Sequence, residues 1–235
     1  KKNTSRIMTL MEEHNQYELK SPCDEPKCML ERAQYYSTKG NHPKAKECFL
    51  LLLKMPMDST TMINSYEAYA RYLAMETQDY VGGAEYQYKA ATLRKQTNGE
   101  NADYANSIYR AGLYYSLNRD KESFTKSIDC YNSAIDAYQK AGNAEKVAKC
   151  QQQKGTAYQG LRDYSKSIIC YKEALKYYEA FDKSTNDYPK MIERLATVEK
   201  FNKDYDSSIV HYRQAMQLFE QRGMMQEYAD AENGL

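Results

Sequence analysis

The chain has 235 residues with 33 basic and 32 acidic side chains, so its formal net charge of +1 does not favour nucleic-acid binding. Glycine (10) and proline (5) are scarce and tyrosine occurs 24 times, which is typical of a helical protein with aromatic packing. The longest apolar run, Cys48 to Leu53, is far shorter than the roughly 20 residues of a membrane-spanning helix. We therefore expect a soluble all-α protein without a membrane span, for which a cytoplasmic location is favoured and a periplasmic one stays open.

The N-terminal segment, residues 1–25, is expected to form a helical cap. Residues Arg6 to Leu19 have the composition of one helix, and the chain starts at Lys1 without an initiator methionine or an apolar signal sequence. We therefore expect the chain to be a piece of a longer polypeptide, and that polypeptide could carry additional domains.

Cys23 and Cys28 form the closest cysteine pair. The C-x4-C spacing is compatible with free thiols, a disulfide or two metal ligands. No second Cys/His pair stands nearby to complete a four-ligand zinc site, so free thiols are favoured.

From residue 26 onward the sequence repeats with a period of about 41 residues. Helix-capping side chains recur at intervals of 38, 41, 43 and 41 residues, at Asn41, Asp79, Asp120, Asp163 and Asp204. Gly99, Gly142 and Gly223 stand at intervals of 43 and 81, as expected for helix ends that need a positive φ. Each period is predicted to contain two helices.

Interior residues keep the same register in every period. The first helix carries a small residue at Ala33, Ala70, Gly112, Gly155 and Ala196. The second helix carries a small residue at Ala45, Ala84, Ser127, Ser167 and Ser208, and four residues later an aromatic at Phe49, Tyr88, Tyr131, Tyr171 and Tyr212. This spacing predicts a packing stripe on which each aromatic ring fills the space beside a small residue.

This pattern resembles the tetratricopeptide repeat (TPR) family. Ala148 to Phe181 is similar to its helix-turn-helix unit, with Gly155, Tyr158, Tyr171 and Ala174 at the signature positions, although the early Trp is missing. The long period is similar to kinesin light chains and bacterial regulators. The resemblance implies a right-handed α-α superhelix of about five hairpins, covering 26–57, 58–99, 100–142, 143–183 and 184–223, with a further repeat starting at 224–235.

No residues are predicted to be catalytic or to bind a metal or a cofactor. The three histidines, His14, His42 and His211, are scattered, and Gly82 and Gly83 lack the Lys-Ser/Thr sequel of a phosphate loop. Cys48, Cys130, Cys150 and Cys170 are expected to be free, because equivalent positions of stacked hairpins lie about 10 Å apart. The chain is therefore expected not to be an enzyme.

In TPR proteins the first helices line a concave groove that binds peptides. Among 25 corresponding positions we count seven cations and three acids, so the groove has a charge of +4 and the rest of the chain −3. The predicted binding residues are Lys27, Asn64, Arg71, Asn106, Tyr109, Arg110, Lys149, Gln152, Lys190, Arg194 and Lys200. This surface predicts an acidic or carboxylate-bearing protein or peptide partner, although a merely solvated polar face is an alternative.

The favoured function is therefore a non-enzymatic TPR scaffold for a protein or peptide. The alternative is a regulatory input or sensor module of a transcription regulator, sensor kinase or caspase-like protease whose output domain is not in this chain.

Overall fold

The computed structural model describes residues 23–235, and all regular secondary structure there is helical. The eleven helices of this part of the chain are α1 (Pro26–Thr38), α2 (His42–Leu52), α3 (Ser59–Arg71), α4 (Tyr80–Asn98), α5 (Ala102–Asn118), α6 (Lys121–Lys140), α7 (Ala144–Gly160), α8 (Tyr164–Phe181), α9 (Asp187–Phe201), α10 (Tyr205–Gln221) and α11 (Met225–Gly234). Helix α3 continues into a π-helical turn at Tyr72–Glu76. The predicted helix at 6–19 lies outside the described residues.

All five predicted helix caps are confirmed. The side chains of Asn41, Asp79, Asp120, Asp163 and Asp204 each accept a hydrogen bond from the backbone N–H three residues later. These bonds satisfy amides that the first turn of a helix leaves without a partner. They set the start of every even-numbered helix, which is the second helix of its pair.

The predicted glycine helix ends are also confirmed. Gly99, Gly142 and Gly223 have φ angles of 73°, 68° and 67°, in the region that a Cβ atom disfavours. A positive φ recurs just before each cap residue, at Gly40, Gln78, Arg119, Arg162 and Lys203. Four of these five turns thus place a residue with a side chain in the left-handed region.

The packing stripe is confirmed in four of the five helix pairs. Phe49, Tyr131, Tyr171 and Tyr212 are all buried. A Cβ atom added to Gly112 or Gly155 would stand 2.7 Å from a ring carbon of Tyr131 or Tyr171, respectively. These two glycines are therefore required for the close approach of α5 to α6 and of α7 to α8.

The prediction for Tyr88 is wrong, because that side chain is 48% exposed. Gln87 is buried instead, with 1% exposure, and stands four residues after Gly83. The cap Asp79 follows Ala70 by nine residues, whereas the other first-helix small residues precede their caps by eight. The π-helical turn accommodates the extra residue, and the register of α4 therefore shifts by one.

Gly83 is a close-packing position at the start of α4. A Cβ atom there would stand 2.8 Å from the carbonyl oxygen of Ala70. Gly82 lies in the first turn of the same helix and donates its N–H to Asp79.

The helices pack against their neighbours in chain order and form an all-α superhelix. Direct contacts also join three pairs of successive first helices: α1 with α3, α5 with α7, and α9 with α11.

The cysteines divide into one bonded pair and four free thiols. Cys23 and Cys28 form a disulfide with a Cα–Cα distance of 5.8 Å, so the favoured prediction of free thiols is wrong at this pair. The chain bends at Glu25, just before α1 begins, and the two Cα atoms lie within disulfide range. Cys48, Cys130, Cys150 and Cys170 are free, as predicted, and all four are buried.

Candidate protein-binding surface

The candidate binding residues all lie on odd-numbered helices, which are the first helices of the pairs. We call their solvent-facing side the first-helix surface. Lys27 lies on α1, and the others are Asn64 and Arg71 on α3, Asn106, Tyr109 and Arg110 on α5, Lys149 and Gln152 on α7, and Lys190, Arg194 and Lys200 on α9. The side chains differ strongly in their surroundings.

Three of the candidate lysines already have partners within the chain. Lys149 Nζ is 2.5 Å from Glu145 Oε1, one turn away on α7. Lys190 Nζ is 3.0 Å from Glu227 Oε1 on α11, and Lys200 Nζ donates to the carbonyl oxygen of Gly234 at 2.7 Å. These contacts reduce the free positive charge on the C-terminal part of the surface.

Asn106 and Tyr109 help to hold α5 against α6. The hydroxyl of Tyr138 donates to Asn106 Oδ1 at 2.7 Å, while the Tyr109 and Tyr131 ring centroids are 5.9 Å apart. Burial raises the pKa of Tyr109 to about 12. A substitution at Asn106 would therefore disturb the packing of α6 as well as the surface.

Glu67 on α3, one of the three acids at the predicted groove positions, is the centre of an internal hydrogen-bond cluster. Its Oε1 atom accepts from Ser107 Oγ at 2.8 Å, from Arg94 at 3.2 Å and from Gln87 Nε2 at 3.4 Å. The cluster joins α3, α4 and α5 and compensates the carboxylate charge. No local sequence pattern reveals this cluster, because its members come from different helix pairs.

Arg71 and Arg110 are exposed, and among residues 23–235 neither has an ion-pair partner. Both lie close to Tyr114: burial raises the pKa of this tyrosine, and the two positive charges oppose the rise. Arg71 comes from α3 and Arg110 from α5, so two adjacent first helices contribute to one basic patch. We call it the Arg71/Arg110 patch.

The C-terminal end of the surface has mixed charge. Arg194 is exposed and stands beside Glu193, whose pKa is raised by burial and by the nearby carboxylates of Asp230 and Glu227. Arg194 also lies near the hydroxyl of Tyr171. The strongest uncompensated positive charge is thus at α3 and α5.

An apolar pocket of about 670 Å³ opens beside the Arg71/Arg110 patch. It is lined by Met75, Leu113, Tyr114, Ser116, Leu117, Arg119, Phe124, Gln153, Thr156, Gln159 and Gly160. Most of these residues stand near the C-terminal ends of α3, α5 and α7. The only sequence sign of this pocket is Gly160, where a Cβ atom would overlap the ring of Phe124.

The free thiols have the surroundings of core residues. Burial raises the pKa of both Cys130 and Cys150 to about 12, so these thiols stay protonated near neutral pH and are poor nucleophiles. In residues 23–235 no group of three or more His, Cys, Asp or Glu side chains is arranged to hold a metal ion. Over the same range, no helix is long and apolar enough to cross a membrane.

Solved structures share this fold and confirm the TPR resemblance. The apo form of RapI superposes with a TM-score of 0.70 at 13% identity, over 94% of this chain and 60% of that chain. TPR-like repeats of a kinesin light chain from Podosopora anserina give a TM-score of 0.67 at 13% identity, over 85% and 99%. A STAND protein with a tetratricopeptide repeat sensor from Pyrococcus horikoshii gives 0.63 at 20% identity, over 88% and 31%. At these identities the likeness shows the fold alone, and the chain spans less than two thirds of RapI and of the STAND protein.

The fold defines a TPR-like helical solenoid, a class of proteins that generally serve as protein-interaction scaffolds. A family model described as soluble NSF attachment protein, SNAP, matches residues 65–229, which is 165 of the 235 residues. The chain therefore belongs to the family of soluble NSF attachment proteins. No curated protein sequence matches the chain.

Proposed function

We propose that this chain binds an acidic segment of a partner protein on its first-helix surface. The observation that carries this proposal is the Arg71/Arg110 patch, because both arginines are exposed and have no ion-pair partner among residues 23–235. An arginine left free at a surface can bind a carboxylate through two parallel hydrogen bonds. The partner's carboxylates thus complete ion pairs that the chain does not make by itself.

The remaining candidate residues have smaller roles in this proposal. Lys27 and Asn64 are exposed and extend the surface toward α1. Asn106 still has its amide N–H groups available for a peptide carbonyl, because Tyr138 engages only its oxygen. Lys149, Lys190 and Lys200 contribute less, since a partner would have to compete with the contacts they make already.

The contacts between successive first helices, α1 with α3, α5 with α7, and α9 with α11, are compatible with a stack that is concave on this side. When one side of a stack is more closely spaced than the other, the stack bends toward that side. A concave surface lets one extended or helical segment contact several repeats at once. This geometry favours a protein partner over a small molecule.

The test is the affinity of synthetic acidic peptides for wild-type protein and for the double variant Arg71→Ala/Arg110→Ala. Affinity should fall as salt rises, because exposed charges are screened beyond about 8 to 10 Å at physiological ionic strength. The double variant should bind about tenfold or more weakly, as expected for the loss of two exposed charge contacts.

A matched control is Arg213→Ala, because Arg213 is exposed on the second helix α10. This control should bind as the wild type does. Unchanged binding by the double variant, or equal losses in the double variant and the control, would contradict the proposal.

The family supplies a second candidate function. Its model is named for attachment of NSF, so we include NSF as a candidate partner for part of this solenoid. Purified NSF should then co-elute with the chain in size-exclusion chromatography, and separate elution at micromolar concentrations would argue against this candidate. The role of a sensor module within a longer protein remains a further proposal, supported by the fold shared with the STAND repeat sensor.

A further inference from the structure

We propose that the apolar pocket beside the Arg71/Arg110 patch is an anchor subsite for one or two large apolar side chains of a helical, acidic partner segment. This inference rests on the proposed function, because it specifies which side chains accompany the carboxylates. The occupant is a segment of another protein with Leu- or Phe-sized residues on one face and Asp or Glu on the next turn.

The pocket arises from a break in a row of apolar residues. The position five residues after the first-helix small residue is occupied by Met75, Leu117, Gly160 and Phe201 in four successive first helices. Phe201 stacks on Tyr164 with ring centroids 5.4 Å apart. Gly160 has no side chain, so the ring of Phe124 lies against it and a depression remains beside Leu117.

Two apolar side chains of this depression are exposed to solvent. Met75 is 52% exposed and Leu117 is 41% exposed, and both line the same pocket. A volume near 670 Å³ lies within the range of sites that hold small ligands or several side-chain groups. Covering this surface with an apolar side chain would remove it from water, which is favourable in proportion to the buried area.

The charges around the pocket select the type of segment. Arg71 stands four residues before Met75, and Arg110 stands three residues before Leu113. Arg119 is the only charged residue that lines the pocket, and no lining residue is acidic. A segment that inserts an apolar side chain would therefore meet positive charge at the rim, which favours acidic over basic neighbours.

The shape of the site fits a helix better than an isolated side chain. Most lining residues come from the first helices α5 and α7, Met75 comes from the π-helical turn after α3, and Phe124 comes from α6. The pocket therefore continues along the surface on which the arginines lie. A helix presents side chains three and four residues apart on one face, and such pairs anchor helices in apolar grooves. One apolar pair can then enter the pocket while carboxylates one turn away reach the arginines.

The experiment uses two synthetic peptides of about 18 residues, a length at which an isolated helix begins to be stable. Both carry the same glutamates; one has Leu and Phe four residues apart, and the other has Ala at both positions. Isothermal titration should show that the Leu/Phe peptide binds wild-type protein about ten- to hundredfold more tightly, as expected from burial of large apolar side chains.

Leu117→Asp tests the pocket, and Leu50→Asp is its matched control. Leu50 is 40% exposed on α2 and lies outside the pocket, whereas Leu117 is 41% exposed within it. The preference for the Leu/Phe peptide should disappear in Leu117→Asp and persist in Leu50→Asp. A preference that survives Leu117→Asp overturns the inference.

A second measurement does not depend on the stability of a variant. In wild-type protein labelled at methionine methyl groups, the Leu/Phe peptide should shift the NMR signal of Met75 and leave that of Met225 unchanged; Met225 is 60% exposed on α11. An unshifted Met75 signal at saturating peptide overturns the inference.

The two proposals fail in distinguishable ways. If both peptides bind equally tightly with the same salt dependence, the pocket inference is wrong and the proposed function stands. If neither peptide binds, both are wrong.

Discussion

His211 on α10 and Glu199 on α9 form a hydrogen-bonded pair, with 2.6 Å between Nδ1 and Oε2. Glu199 is fully buried, and its second oxygen has no hydrogen-bond partner but lies 3.7 Å from Lys172 Nζ on α8. In the preceding helix pair the equivalent positions hold Tyr158 and Cys170. The helix pair α9/α10 thus has two ionisable side chains in contact at positions where the helix pair α7/α8 has a tyrosine and a cysteine, which are uncharged near neutral pH.

Removing one member of this contact should destabilise the protein. We expect His211→Ala to reduce the free energy of unfolding by about 2–3 kcal/mol, because it leaves a buried carboxylate with only Lys172 nearby. The double variant Glu199→Tyr/His211→Cys reproduces the neighbouring pair and should be at least as stable as the wild type. Urea unfolding of the single and double variants checks this, and a double variant as unstable as His211→Ala would contradict it.

Tyr171 should contribute strongly to stability. It is 1% exposed, its ring lies against Gly155, and its hydroxyl is 3.1 Å from Thr156 Oγ1. Replacing it with Ala should cost about 3–5 kcal/mol, as large-to-small core changes do. Thermal and urea unfolding provide the measurement.

The control on the same helix is Ile169→Ala, because Ile169 is 60% exposed. It should change stability by less than about 0.5 kcal/mol. Lys172, which is also exposed on α8, is not a suitable control for stability, since its Nζ atom lies 3.7 Å from the buried Glu199. A similar decrease in the free energy of unfolding in the Tyr171 and Ile169 variants would show that the packing stripe is misassigned.

The turns before the second helices allow a test of backbone conformation alone. Gly40 has a φ of +70° and no atom within 4 Å of an added Cβ, so Gly40→Ala should cost about 1 kcal/mol through strain and not through a clash. Lys203 has a φ of 65° at the equivalent place. Lys203→Gly should be neutral or slightly stabilising in urea unfolding, because it removes the same strain. A destabilising Lys203→Gly together with a silent Gly40→Ala would contradict this explanation.

Local signals in the sequence predicted much of the fold, because caps and turns depend on a few neighbouring residues. Asp163 and Gly142, for example, are recognisable without any knowledge of tertiary packing. The π-helical turn before α4 was not predictable, because it depends on how closely Gly83 approaches Ala70. The register also differs on α6, where Tyr131 stands eleven residues after its cap Asp120, whereas Phe49, Tyr171 and Tyr212 each stand eight residues after theirs.

The charge of the first-helix surface was harder to predict than its position. A count of charged residues treats Arg71 and Lys190 as equally available to a partner protein. In the structure, however, Lys190 already forms an ion pair with Glu227 on α11. Contacts between repeats, such as those of Glu67 with Arg94 and Ser107, appear only when the helices are stacked. The pocket beside Leu117 likewise depends on where the ring of Phe124 lies relative to Gly160.

A charge reversal at the Arg71/Arg110 patch tests most directly whether this patch binds an acidic segment of a partner protein. The measurement is the affinity of Arg71→Glu/Arg110→Glu for an acidic peptide and for the same peptide with each glutamate replaced by lysine. We expect the wild type to prefer the acidic peptide and the variant to prefer the lysine peptide, because opposite charges attract and like charges repel across the same contact. A variant that binds the acidic peptide as tightly as the wild type does would show that Arg71 and Arg110 do not bind the partner's carboxylates.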